Sequence, residues 1–375
     1  MRRRGLGSSR RTSPWAVVAL VAALAGATAS LAQAAGPRRG ASRGVPQRLA
    51  DTGLYSDFAS RTVDPRNVHY SPQYPLWSDG GGKDRWIRLP AGKAIDASDP
   101  DRWAFPVGTK LWKEFAWSRR VETRYLELTR RGWVYAVYVW TDDGSDAVLA
   151  PEEGVATAVE VAPGRRHAIP SVADCLSCHR GGRSEVLGFG ALQLSSDRDP
   201  LALHAEPLEA GDPTLATLVQ RGLVRGLPRE LVERPPRIPA TSPRGRAALG
   251  YLHANCGICH DSEGPMASLG VSLRHALGAR EERDEPAYAA MGHPSRYRVA
   301  AAAPGESVWI RPGAPSLSAV VERMASRSPI ARMPPLATQV VDEEAVSLLS
   351  RWIAEDLRSP EQSSRGDVTQ RKEKP

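Results

Sequence analysis

All four cysteines of the chain fall in two copies of one five-residue string, Cys175-Leu176-Ser177-Cys178-His179 and Cys256-Gly257-Ile258-Cys259-His260. Thiols at this spacing can form thioethers to the two vinyl groups on one porphyrin edge, and the next residue brings an imidazole beneath the iron. C-x-x-C-H is accordingly an attachment string for c-type haem. The expectation is two covalently bound haem c groups with their iron, attached through Cys175, Cys178, Cys256 and Cys259. His179 and His260 are then the proximal metal ligands. Other thiol chemistry fits less well. Zinc ligand pairs lie within about 12 to 20 residues of each other, whereas Cys175 and Cys256 are 81 apart. A redox dithiol or a pair of short-loop disulfides leaves the doubled histidine without a reason.

Haem is attached to c-type cytochromes outside the cytoplasm on an unfolded chain, so an export signal is expected. Residues 1–35 read as one: Arg2, Arg3, Arg4, Arg10 and Arg11, then an apolar run from Trp15 to Ala32, then small residues around Ala32-Gln33-Ala34. The implied location is periplasmic or otherwise exported, with no stable membrane span after signal cleavage. The formal charge of +8 over 375 residues falls to +3 once the five signal arginines are set aside. No basic cluster remains that would mark a nucleic-acid partner.

Composition divides the rest. Residues 51–170 hold seven of the ten tryptophans and a series of short β-forming runs. Glu122 to Thr129 and Trp133 to Thr141 form a predicted hairpin through Arg130-Arg131-Gly132. Shorter runs at Asp84 to Leu89, Lys110 to Phe115, Ala147 to Ala150 and Ala156 to Val161 are spaced as in a β-sandwich. A mainly α-helical part is expected to follow, giving an α+β multidomain chain with a first haem region at 171–241 and a second haem domain at 242–358. Residues 359–375 are polar and aperiodic, a predicted disordered tail. Ser242-Pro243 predicts a helix start leading into the second haem string. A short helix is expected from Ser316. After a predicted Asp342 cap, Ala345, Leu348, Leu349, Trp352, Ile353 and Leu357 lie on one face of a closing helix.

A helix running into C-x-x-C-H, a variable middle, a loop carrying methionine and a closing amphipathic helix resembles a class I cytochrome c domain. The loop is Arg332-Met333-Pro334-Pro335-Leu336, and Met333 follows His260 by 73 residues. The resemblance makes Met333 the sixth ligand of the second haem. A thioether favours ferrous iron and raises the reduction potential.

The first haem has no such sulfur, because no methionine lies between His179 and Cys256. His253, on the helix entering the second string, is the candidate distal ligand. Its alternative role is a hydrogen-bonding histidine beside the second haem. His204 is a weaker candidate, and an open five-coordinate haem is the remaining alternative.

The chain also resembles a family of exported bacterial dihaem c-type cytochromes in which a Trp-rich β domain precedes the haem region. The strings that carry the likeness are Tyr74-Pro75-Leu76-Trp77-Ser78-Asp79-Gly80, Arg85-Trp86-Ile87-Arg88-Leu89-Pro90, Tyr251-Leu252-His253-Ala254-Asn255-Cys256 and Arg332-Met333-Pro334-Pro335-Leu336. The resemblance implies electron transfer between a periplasmic donor and an acceptor, with redox proteins as partners, rather than catalysis. The alternative is a dihaem peroxidase-like enzyme or other haem oxidoreductase with an open first haem, which needs acid and base groups beside the iron. A third reading has the β domain binding sugars on exposed tryptophans.

Overall fold

The computed structural model describes residues 44–180 and 182–357, so the expected signal and tail lie outside the described residues. Its strands, in chain order, are β1 Tyr55–Asp57, β2 Thr62–Val63, β3 Val68–His69, β4 Gly82–Arg88, β5 Ile95–Asp96, β6 Lys110–Ala116, β7 Arg120–Thr129, β8 Gly132–Trp140, β9 Ala147–Leu149, β10 Val155–Ala162, β11 Arg165–Ile169 and β12 Val224–Arg225. β-Branched and aromatic residues dominate β6 to β8, and turn residues separate them. Strands β3, β4, β6, β7, β8 and β9 form one six-stranded antiparallel sheet in that order. The β7/β8 turn is Arg130-Arg131, and Gly132 leaves it at φ +108°, a value that a residue with a Cβ rarely adopts.

The expected sandwich is replaced by this single sheet. Its faces are covered by loops together with short elements, among them the Leu215–Gln220 helix and the β5/β12 and β10/β11 pairs. One face carries Trp86, Trp112, Tyr125, Tyr138 and Trp140, and is closed by Val45, Leu49, Leu54 and Tyr55 from the preceding segment. The other carries Ile87 and Leu111, and is closed by Val186, Phe189, Leu194, Leu215, Leu218 and Val224. β12 adds to this cover by pairing in parallel with β5, Val224 opposite Ile95. Strand alternation reports that a face is buried but not what buries it. A cover built largely of loops has no period of its own, and the only further sheets among the described residues are the two-stranded pairs β1-β2, β5-β12 and β10-β11. Four of the seven tryptophans expected in this region, Trp86, Trp103, Trp112 and Trp140, are buried, and none of the seven is fully exposed.

The expectation of mainly α-helical haem domains is also overturned. Among the described residues the α-helices are α1 Val172–His179, α2 Leu215–Gln220, α3 Arg229–Glu233, α4 Pro243–Asn255, α5 Ala319–Ala325 and α6 Glu343–Arg351. Helix of all kinds makes up 23 % of the described residues, and the six-stranded sheet is their largest regular unit. From residue 256 to 318 there are only 3₁₀ turns, because Pro265, Pro286, Pro294, Pro304 and Pro312 remove donors at short intervals. The strongest helix signals do form helices. The Ser242 hydroxyl accepts the Gly245 N–H at the start of α4, and Asp342 caps α6 through the Ala345 N–H at 3.1 Å. α5 begins at Ala319 rather than at Ser316, after a 3₁₀ turn. α4, α6 and a closing π-turn enclose a third core around Leu252, Leu349, Trp352 and Ile353. No helix among the described residues is long and apolar enough to cross a membrane.

Candidate haem-attachment sites

α1 is a two-turn helix held at its start by reciprocal bonds between Ser171 and Asp174. It presents Cys175, Cys178 and His179 to a cavity of about 360 Å³. Positions i, i+3 and i+4 share a helix face, so the string's spacing points both thiols and the imidazole the same way. His179 Nδ1–H donates to the Glu185 carbonyl at 2.6 Å. The imidazole lone pair is therefore at Nε2, the arrangement that metal-ligating histidines use. Burial lowers the His179 pKa to about 4, which keeps the ring neutral. The Tyr135 ring lies 5.2 Å away.

The cavity's sheet wall carries three cations, Arg85 buried and Lys113 and Arg124 half-buried. Arg85 stands opposite Lys113, and Lys113 opposite Arg124, in adjacent strands. All three line the cavity. Like charges in direct register destabilise a sheet, so this row calls for anions. Glu206 reaches Arg85 at 3.3 Å and Glu122 reaches Arg124 at 2.6 Å. Lys113 has no carboxylate within ion-pair distance among the described residues; the Phe115 ring lies 4.8 Å from its ammonium. Burial, then Arg85, Lys83 and Arg124, push the Lys113 pKa well below its usual range. The inward register was readable: Arg85 and Ile87, Leu111 and Lys113, and Arg124 and Leu126 share parity with apolar partners.

The second string follows the end of α4 as a turn. His260 N–H bonds to the Cys256 carbonyl at 2.9 Å, and Leu273 N–H to the His260 carbonyl at 2.8 Å. The string tolerates no side chain at Gly257, where a Cβ would sit 2.7 Å from the His253 carbonyl and 2.9 Å from Arg274 Cα. His260 is buried edge-on against Trp309 at 4.9 Å. Its Nδ1 is buried without a hydrogen-bond partner. Burial, then the Arg323 charge, lower its pKa to about 4. The Met333 N–H donates to the Arg323 carbonyl at 3.0 Å, which ties the methionine loop to the residue whose charge His260 feels. The two strings also meet. Cys178 donates its S–H to Cys259, which lowers the Cys259 pKa to about 7 and, with burial, raises that of Cys178.

The string Tyr74 to Gly80, to which sequence reasoning gave no chemistry, is the clamp between these parts. The Trp77 N–H donates to Asn255 Oδ1 at 2.7 Å, beside the second string. Asp79 Oδ1 accepts the N–H groups of Gln339 and Val340 at 2.8 and 2.9 Å, holding the chain that follows Met333. Tyr74 OH donates to Asp199 at 3.1 Å, and its ring occupies the space left by Gly250 in α4.

The remaining histidines divide clearly. His204 Nε2 is occupied by Asp342 at 2.9 Å. His167 lies 3.2 Å from Glu122. His69 is 2.5 Å from Asp212, far from either string in the chain. Burial opposes charge on His69, but Asp84 and Asp212 outweigh it and raise its pKa to about 9. His253 lines the cavity, yet its Nδ1 accepts the His275 N–H at 3.0 Å. The neutral ring then carries its proton on Nε2, so it offers the cavity a donor in place of a lone pair.

The residues of the first site fit haem c: two cavity-facing thiols, an imidazole with Nε2 free, and wall cations suited to propionate carboxylates. The second offers Cys256, Cys259 and His260, with His260 Nδ1 unpartnered among the described residues as a mismatch, while Arg332, Pro335 and Leu336 of the methionine loop line the first site's cavity. Set against known protein families, curated proteins and solved structures, the chain matches none.

Proposed function

We propose that the chain is an exported dihaem c-type cytochrome that passes electrons between a periplasmic donor and an acceptor. The observation that carries this reading is the α1 face, where Cys175, Cys178 and a His179 with its Nε2 lone pair free address one cavity. The likeness of the quoted strings to exported dihaem cytochromes supports it. Haem c supplies a one-electron couple on iron. The chain's own groups do the rest. The Glu185 carbonyl fixes the His179 tautomer, and Arg85, Lys113 and Arg124 offset carboxylate charge. Asp79 and Arg323 hold the two sides of the Met333 loop, so the sulfur needs no rearrangement when the iron changes oxidation state.

Optical and EPR spectra of the purified holoprotein test the assignment. Met333→Ala is expected to abolish the weak absorption band of an iron–thioether bond while leaving the first haem unchanged. Retention of that band in the variant would refute Met333 as a ligand.

A further inference from the structure

We infer that His275, held by Glu285, is the distal ligand of the first haem, an inference that rests on the dihaem reading above. Four histidines line the cavity: His167, His179, His253 and His275. His179 belongs to the attachment string. His167 is flanked by Glu122 at 3.2 Å and Asp79 at 3.9 Å, one carboxylate toward each ring nitrogen. His253 accepts at Nδ1 and so presents a protonated Nε2.

His275 is arranged the opposite way. Its Nδ1–H donates to Glu285 Oε1 at 2.7 Å, and both side chains are 2 % exposed. A carboxylate on Nδ1 leaves the lone pair at Nε2 and strengthens it as a donor. That nitrogen has no hydrogen-bond partner among the described residues, and the residue stands on the cavity wall. Of the four cavity-lining rings, His179 and His275 are thus the two whose Nδ1–H is held by a single acceptor, which leaves the lone pair on Nε2.

The segment that carries His275 is fixed from the second site. Leu273 bonds to the His260 carbonyl, and Arg274 packs into the place where Gly257 has no side chain. His275 N–H in turn locks the His253 ring. The second string and His275 are thus joined through residues 253–275. His253 is then a wall residue of the cavity, its Nδ1 taken by the His275 N–H, and not a ligand. Glu285 acts through His275.

The test is EPR of the holoprotein with haem counted by pyridine haemochrome. The wild type is expected to show two low-spin ferric signals. His275→Ala should lose the one that Met333→Ala leaves intact, turn high-spin, and regain it on adding imidazole. His253→Ala should keep both signals. Glu285→Gln, which weakens the anionic character of the ligand, should keep the low-spin signal and move the first haem to higher potential. Fewer than two covalent haems in the wild type would sink the dihaem reading itself. Two haems with an unchanged first signal in His275→Ala would overturn the inference alone. So would a high-spin first haem with peroxide turnover in the wild type, which would make the Glu285–His275 pair acid–base groups instead.

Discussion

The two attachment strings differ in what surrounds them far more than in sequence. The first sits on a capped helix before a cavity walled by a cationic sheet, with its histidine oriented by the Glu185 carbonyl at 2.6 Å. The second is a turn at a helix end, with its histidine against Trp309, its Nδ1 unpartnered among the described residues, and the buried Asp261 next to it 3.4 Å from Arg183 and 3.7 Å from Arg274. Axial ligand, burial and neighbouring charge set a haem's potential. Equal strings in unequal settings are therefore expected to give two unequal centres.

Deleting each thiol pair should separate the centres and has the largest expected effect. Cys175→Ala/Cys178→Ala should leave one haem, with the iron–thioether band. Cys256→Ala/Cys259→Ala should leave one haem without it. Intact mass and optical spectra read both, and the same band in both variants would erase the distinction.

Asp79→Ala tests whether the clamp serves the methionine side. Two N–H groups lose a charged acceptor, so a loss of about 3 kcal/mol is expected by denaturant unfolding of the holoprotein, with a weakened iron–thioether band. A stable variant with the band intact would show that the loop is held by other contacts.

Gly250→Ala places a methyl against the Tyr74 ring. Overpacking of this kind costs about 1–3 kcal/mol. The expected change is a lower thermal midpoint with both haems retained, and a neutral result would mean that the ring yields freely.

The smallest effect is remote from both centres. His69 is raised to about 9 from 6.5. Its ion pairing contributes stability that is fully present below about pH 6.5 and is lost as pH rises through 9. His69→Gln should flatten that part of the stability profile and leave haem spectra unchanged.

The strands of the central hairpin were legible in the sequence, because period-two alternation is a local signal. So were the Ser242 and Asp342 caps. The sheet's loop-built cover was not, since it has no period, and neither was the Glu285–His275 pair. Its partners lie ten residues apart in a stretch of 3₁₀ turns, where spacing predicts no contact. His253 attracted attention through its place on α4. What decides its chemistry is one backbone N–H from His275, a tertiary contact that no helix pattern encodes. The Tyr74 to Gly80 string was recognisable as a label, but only the fold reveals which distant backbone groups it binds.

The most direct test of the central claim is the haem content of the exported, purified chain, measured by pyridine haemochrome after acid–acetone extraction. The account predicts two haem c per chain resisting extraction. A chain that carries no covalent haem while its four cysteines remain as thiols would contradict it.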